Sequence, residues 1–540
     1  MKVNAWLTTS LHRLFPHSAP GGRRSLTLPA ARGERVAFQV GVRHEEPGPV
    51  EVAVRTAASD GLAVQVRRVG CVPVPHHNTA TPVEELDGVG HIPGYVPDPL
   101  FPESAARVAP GEVAAFWLTV TVLKEAKPGP HELEVEVFAA GKPQRPLKAT
   151  VQVSEVTLAR RKGFHALHWF YADALCDRYR VEPFSDAFWP ICEAYMRDYA
   201  AHGLDTIYVP AFTPPLDGVK RPTQLLGVRL RKGNAGRRRP AHDQYQFDWR
   251  LVRRWLELAR RCGITHFEWT HLFTQWGVKH AIHVYERHDG GNLLWPPETR
   301  STSPTYRNFL SQFLPALERF LREEKLLNRS FFHISDEPHG DEHLANYRAA
   351  RAMVRELAPW MKTMDALSDI RFGREGLVDT PVPSISTTRQ FVEEGIPCWT
   401  YFCCGPRGRF LNRLLDTPLA KARMAGWLFY RLGVGGFLHW GYNYWYKSQT
   451  QQLIDPFTVT DGLAWPGWAY GDTFQVYPGP DGPLDSIRWE VFAESLQDYA
   501  LLQTLGVPRD GALLASLKDF DDFPKDERWV QAVRRKLLAV

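Results

Sequence analysis

At 540 residues the chain exceeds the length at which a single hydrophobic core stops growing, so at least two domains are expected. Hydrophobic residues at 44% and charged residues at 23% are ordinary for a globular protein and exclude a largely disordered one. A formal charge of +5, from 65 basic and 60 acidic residues, is too balanced for a nucleic-acid binder acting through bulk electrostatics.

No stretch of about 18 apolar residues occurs, so no membrane span is expected. The first apolar stretch is broken by His12 and Arg13 before reaching signal-peptide length, which predicts a cytoplasmic protein. The seven cysteines (71, 176, 192, 262, 398, 403 and 404) are odd in number and form no CxxC, so reduced thiols are expected rather than a disulfide framework or structural zinc. No metal or other cofactor is expected. The densest basic run, 229–239, lies among Gly and Pro and reads as a solvated loop.

Residues 1–158 carry alternating segments at 36–42, 50–54, 117–122 and 133–138, with Pro and Gly between them and no helix-length periodicity. That pattern predicts a β-sandwich. The Pro-rich stretch 73–110 reads as a long loop reaching toward a second domain. From 159 to 540 strands alternate with helices. Strands are predicted at 164–170, 205–212, 265–273, 330–336, 364–367, 383–387, 398–403 and 436–441. Helices are predicted at 185–202, 247–262, 305–326, 341–357, 418–432 and 485–505. Eight strands alternating with helices and no GxGxxG or Walker loop predict a (β/α)8 TIM-type barrel rather than an open doubly wound sheet.

Barrel enzymes place their chemistry at the C-terminal ends of strands. The fourth predicted strand ends in HISDEPHG, putting Asp336 and Glu337 at such an end, with Pro338 and Gly340 stopping the strand. Neighbouring carboxyls push their protonation apart, which suits an acid and a stabiliser of an oxocarbenium-like transition state. A helix-capping Asp336 beside a surface Glu337 is the structural alternative. Aromatic and polar groups collect at other strand ends: Trp169 and Tyr171, Trp269 and His271, Tyr401, then Trp440, Tyr442, Tyr444 and Trp445. Sugar rings stack their C–H faces on aromatic rings, so these are candidate substrate contacts, with His339 and Asp472 as polar candidates nearby. His333 is expected to pack inside the barrel, and Glu490 to be structural.

The segments HISDEPHG (333–340), WTYFCCGPR (399–407), GFLHWGYNYW (436–445) and YPGPDGPLDSIRWEVFAESLQDY (477–499) resemble the domain-of-unknown-function 4091 group, related to glycoside hydrolase family 123. The likeness covers most of the barrel and extends to the N-terminal sandwich. It implies a β-N-acetylgalactosaminidase using substrate assistance, in which the sugar's 2-acetamido oxygen attacks its own anomeric carbon. Glu337 would then be the general acid/base, and Asp336 would orient the acetamido group. The implied partner is a carbohydrate, with neither nucleic acid nor membrane.

Three other readings remain open at this level. An ordinary two-carboxylate glycosidase would need a second acid facing Glu337, for which Asp472 and Glu490 are candidates. A metal-dependent hydrolase could draw on His333, Asp336, His339, Asp341 and His343, although no HExxH-type spacing is present. A non-catalytic sugar-binding barrel is the last.

Overall fold

A computed structural model describes residues 2–57, 60–87, 94–212, 221–231 and 243–539. The N-terminal part consists of two facing sheets. The first has the order Val3–Thr9, Arg35–His44, Val113–Val122, Leu62–Val74 and Gly94–Phe101, antiparallel throughout. The second runs Ser25–Arg32, Leu147–Thr157, Gly129–Ala139, Val50–Thr56 and Ala105–Val108, with its first pair parallel. Leu133, Val135 and Val137 are buried and alternate with exposed Glu132, Glu134 and Glu136, as a sheet with one solvated face requires.

The central strands of the first sheet, Arg35–His44 and Val113–Val122, are buried on both faces. Phe38, Val40, Val42, Phe116 and Leu118 point into the sandwich core. Their alternates Ala37 and Trp117, with Trp6 from the edge strand, join the core of the following domain. The run 36–42 is therefore apolar or buried at nearly every position. The loop predicted over 73–110 is replaced by strands in part, since the end of Leu62–Val74, Gly94–Phe101 and Ala105–Val108 fall within it. Pro97 and Pro99 obscured the second of these, and an edge strand tolerates them because its outer N–H groups need no sheet partner. Residues 75–87 do lie against the second domain, where Asn78 donates to the Trp468 carbonyl and Thr79 to Asp416 (2.9 Å). Of the basic run, Arg229–Arg231 ends the strand Gly227–Arg231, and 232–239 lie outside the described residues.

The second part is a curled parallel sheet with helices between its strands. Six strands are ordered Ser330–Phe332, His266–Trp269, Thr206–Val209, His165–His168, Gly436–His439 and Thr400–Tyr401. A parallel pair, Met364–Ala366 with Thr380–Val382, stands between the two ends of that sheet. Single bridges join Phe332 to Thr363 and Ser384 to Tyr401. Every strand is shorter than predicted; Trp269 and Tyr401 end their strands, while Trp169, Tyr171, Asp336, Glu337, Trp440, Tyr442, Tyr444 and Trp445 stand on the loops that follow. The sixth lies at 380–382 rather than 383–387, because Pro383 follows it. The hairpin Gly227–Arg231 with Gln244–Asp248 takes the first residues assigned to the 247–262 helix, which spans Arg250–Arg261.

Local chemistry explains the main helix starts. Ser303 caps Pro304–Glu323 by accepting the Tyr306 amide, and Ser486 caps Ile487–Thr504 by accepting that of Trp489. Ile487–Thr504 is buried on almost every side because it lies between the parallel sheet and the N-terminal domain. Gly426 lets the helix Ala425–Leu432 approach it, since a Cβ there would sit 1.8 Å from the Ser495 carbonyl oxygen. Among the described residues no helix is long and apolar enough to cross a membrane, and all seven cysteines are free thiols.

Candidate active site

The fourth strand stops at Phe332, and residues 333–339 form an irregular segment before the helix Gly340–Leu357. A regular strand would send Asp336 and Glu337 to opposite faces. Instead Glu337 takes a left-handed backbone (φ 45°), an uncommon conformation for a residue bearing a Cβ, and both carboxyls line one cleft. The turn is held by the Glu337 amide on the Ala366 carbonyl (2.8 Å) and the Trp276 amide on the Asp336 carbonyl (2.9 Å).

The cleft opens to solvent, and the space among its lining residues, counted with the solvent at its mouth, is about 610 Å³. Trp169 forms buried wall and Trp440 a half-buried one. Trp465 and Trp468 stack with centroids 4.1 Å apart, and Trp440 stands nearly perpendicular to both. Trp276, 46% exposed, forms the lip, with Gln275 and Gln449 as polar lining. Asp472 lies behind this wall, accepting the indole N–H of Trp440 (2.8 Å) and of Trp468 (3.0 Å).

The two acids differ sharply in environment. Asp336 is 9% exposed, and among the described residues no hydrogen-bond donor reaches its carboxyl. Burial, then the charge of Glu337, pushes it well above the usual carboxylate range. Glu337 is half-buried and accepts the Tyr401 hydroxyl at 2.7 Å. Burial and the neighbouring Glu337 carboxyl push that phenol well above its ordinary value, so it remains a donor.

Beneath the pair lies a buried polar array. His333 is fully buried between Glu268, from the third strand, and Asp365, from the fifth. His271 stacks on His333 (4.3 Å) and meets Trp169 edge-on, and among the described residues neither of its ring nitrogens has a hydrogen-bond partner. Burial and then the charge on His333 push His271 well below the ordinary imidazole value.

Of the residues singled out from sequence, Trp169, Tyr401 and Trp440 line the cleft with Asp336 and Glu337. Tyr171 is buried beside it, its hydroxyl on the Trp440 carbonyl (3.0 Å). Trp269 faces outward to Phe320 and donates to Ser330 (3.0 Å). Tyr442 bonds Asp198 (2.6 Å), Tyr444 the Ser448 carbonyl (2.7 Å) and Trp445 the Val476 carbonyl (3.0 Å), all three in the core. His339 is exposed at the start of the following helix. Trp465, Trp468, Gln275 and Gln449 escaped the sequence reading. The spacing Trp465-Pro-Gly-Trp468 was the available signal for the stacked pair.

The other candidate acids do not face Glu337. Glu490 pairs with Arg35 (2.9 Å) and Arg67 (2.5 Å) at the contact with the N-terminal domain. Asp472 is turned to the two indoles and to His439 (3.3 Å). The proposed metal set also disperses: His333 is internal, Asp341 is exposed and bonds Arg371, and only His339 and His343 adjoin. Among the described residues, His165–Asp205–His266 and Asp198–His202–Asp485 have metal-ligand spacing, and neither contains the pair. The first stands at the N-terminal ends of its strands, away from the cleft.

Known proteins extend the reading. A family 123 glycoside hydrolase from Clostridium perfringens, studied for glycolipid glycan hydrolysis, shares the fold with a TM-score of 0.73 at 13% identity, over 100% of this chain and 98% of that one. A family 39 glycoside hydrolase from Bacteroides cellulosilyticus WH2 has 9% identity over 90% of this chain and 82% of its own, with a TM-score of 0.35, too low to carry weight. Among curated proteins none matches the chain. The family model for the catalytic domain of glycoside hydrolase 123 matches residues 169–505, more than half of the chain and the whole of the cleft. The chain therefore belongs to glycoside hydrolase family 123, and the cleft around Asp336 and Glu337 lies within the catalytic domain of a glycosidase.

Proposed function

We propose that the protein is a retaining exo-β-N-acetylhexosaminidase of the galactosamine type, acting through the substrate's own 2-acetamido group. The observation that carries this reading is the Asp336 carboxyl. It is buried, lines the cleft beside Glu337, and lacks any donor among the described residues. A mostly desolvated carboxyl turned to the cleft, with no donor from the described residues, is free to accept one from a ligand. The N–H of an acetamido group supplies the missing donor, and ionised Asp336 then steadies the positive charge that develops as the acetamido oxygen attacks the anomeric carbon. Glu337 protonates the departing oxygen and afterwards removes a proton from the attacking water. A second carboxylate across the cleft is unnecessary in such a mechanism, and among the described lining residues only Asp336 and Glu337 are acids.

The Trp440, Trp465 and Trp468 surfaces are apolar ring faces suited to a sugar's C–H face or an acetamido methyl. On this reading the eight strands close as one (β/α)8 barrel over 159–540, with the sandwich at 1–158 as its support. Glycolipid glycans, named for the Clostridium perfringens neighbour, are the proposed substrate class. The test is hydrolysis of aryl β-glycosides with and without the 2-acetamido group. Cleavage confined to acetamido sugars, and reduced at least about 10³-fold in Glu337→Gln on a poor leaving group, is the expected result. Cleavage of plain sugars, or a fully active Glu337→Gln, overturns it.

A further inference from the structure

One carboxylate gathers three residues of the segment that carries the catalytic pair. Asp365 accepts the backbone amides of Ile334 (3.0 Å) and Ser335 (3.1 Å) and the His333 ring Nδ1 (3.2 Å). Its other oxygen accepts the Tyr347 hydroxyl. Three consecutive residues, the three immediately before Asp336, are thus tied to one side chain of the fifth strand. The opposite ring nitrogen of His333 meets Glu268 Oε1, which also accepts the Trp169 indole N–H (3.0 Å) from the cleft wall. All three members of the array are fully buried.

Burial pushes the Asp365 carboxyl up, against the charge and hydrogen bond of His333 and the hydrogen bonds of Tyr347 and Ser335. Where Asp365 and Glu268 are both ionised they only accept, so the imidazole between them must donate from both nitrogens. We propose that Glu268 and Asp365 hold His333 as a permanent imidazolium, and that this buried cation and the Asp365 clamp position the Asp336–Glu337 pair and favour ionisation of Asp336. The proposal rests on the glycosidase reading of that pair, and it makes His333, Asp365 and Glu268 positioning residues, since none of them lines the cleft. Burial alone would discharge His333, but the two carboxylates outweigh it and raise the ring to about 10. Asp336 faces Glu337, Asp365 and Glu268, which oppose its ionisation. Tyr171 and Tyr401 also adjoin it. His333 is the cation that opposes them. His271, stacked on His333, is kept neutral by burial and by that charge.

The direct test needs no substrate. Imidazole ¹⁵N spectra of the histidine-labelled protein at pH 8.5 should contain two doubly protonated rings from the described residues, His333 and His202. The latter is also raised to about 10, Asp198 and Asp485 outweighing the effect of burial. Comparison with His202→Gln leaves one signal, assigned to His333. Its absence at that pH overturns the proposal, and this wild-type measurement stands even where His333→Gln folds poorly.

The functional arm follows kcat/KM against pH with an acetamido aryl glycoside. In His333→Gln the acid limb should move upward by about one pH unit, the effect expected when an opposite charge beside a carboxyl is removed. A uniform loss with an unmoved limb would mean a merely structural role and overturns the tuning claim. Absence of wild-type turnover on any glycoside would instead be failure of the glycosidase reading, leaving the ring's charge separately measured.

Discussion

Asp336 is held where a carboxylate is unfavourable. Its pKa is raised by burial and by Glu337, so in the folded protein it favours the neutral form. The stabilisation associated with that proton is complete below the ordinary carboxyl value of about 3.9 and is lost as pH rises through the elevated folded value. Asp336→Asn keeps the shape and removes that loss. The variant should therefore melt at a higher temperature than wild type near neutrality, by a margin equivalent to about 1–2 kcal/mol that widens as pH rises from acid. Its kcat on an acetamido glycoside should fall about 10²–10³-fold, the size typical of losing a preorganised stabilising group. Paired melting curves and kinetics across pH decide the matter. A variant less stable than wild type at every pH would mean that Asp336 is ionised and paired in the resting enzyme.

At the scale of elements, the wall of the cleft is built from loops that the parallel sheet only supports. Trp440 follows the eighth strand, whereas Trp465 and Trp468 come from a separate excursion beyond it, and Asp472 gathers two indoles onto one carboxylate. The arm 75–87 of the N-terminal domain reaches the same excursion through Asn78, and Arg407 ties the two by donating to the Asn78 carbonyl (2.7 Å) and the Gly467 carbonyl (3.0 Å). Asp472→Ala should therefore free two rings without touching the acids. KM should rise roughly 10-fold, the scale of one lost hydrogen bond to a charged group, with kcat changed far less. A kcat loss at unchanged KM would mean that Asp472 acts in the chemistry.

The same loops mark how far the sequence could be read. The β/α alternation and the strand-end acids were legible, because period and motif are local properties. Strand ends were overextended, because the Trp, His and Asp residues that follow have no periodic signature separating pleated backbone from loop. Tyr442, Tyr444 and Trp445 look like a binding cluster in the sequence, yet their polar ends are met by Asp198, Ser448 and Val476 in the core. Those partners are distant in sequence or are backbone groups, and no local pattern reveals them. Asp365 and Glu268 were missed for the same reason.

Across the whole molecule, the two parts meet through buried charge as well as through the shared apolar face. Arg67, on the first sheet, bonds Asp485 and Glu490 at the head of the buried helix, and Arg35 pairs with the same Glu490. Further along, Arg423 bonds Glu494 and Asp498, and Arg534 links Asp498 to Glu34 of the N-terminal domain. Removing one member of such a buried set leaves its partner uncompensated, at about 3–5 kcal/mol. Burial opposes the charge of Glu490, but Arg35 and Arg67 outweigh it and hold the carboxyl well below its usual range. Its stabilising contribution is thus present above the ordinary carboxyl value of about 4.3 and is lost only as pH falls through the depressed folded value. Burial instead raises Asp485 and Glu494 to about 7, so their contribution is complete below the usual carboxyl range and fades as pH rises through 7. Together they place the strongest inter-domain contact at mildly acidic pH. Glu490→Gln should abolish much of that contact, lowering the melting temperature at pH 5–6 and splitting a single calorimetric transition into two. A variant that still melts in one transition, with an unshifted midpoint, would mean that the apolar face around Trp6, Ala37 and Trp117 alone couples the sandwich to the catalytic domain.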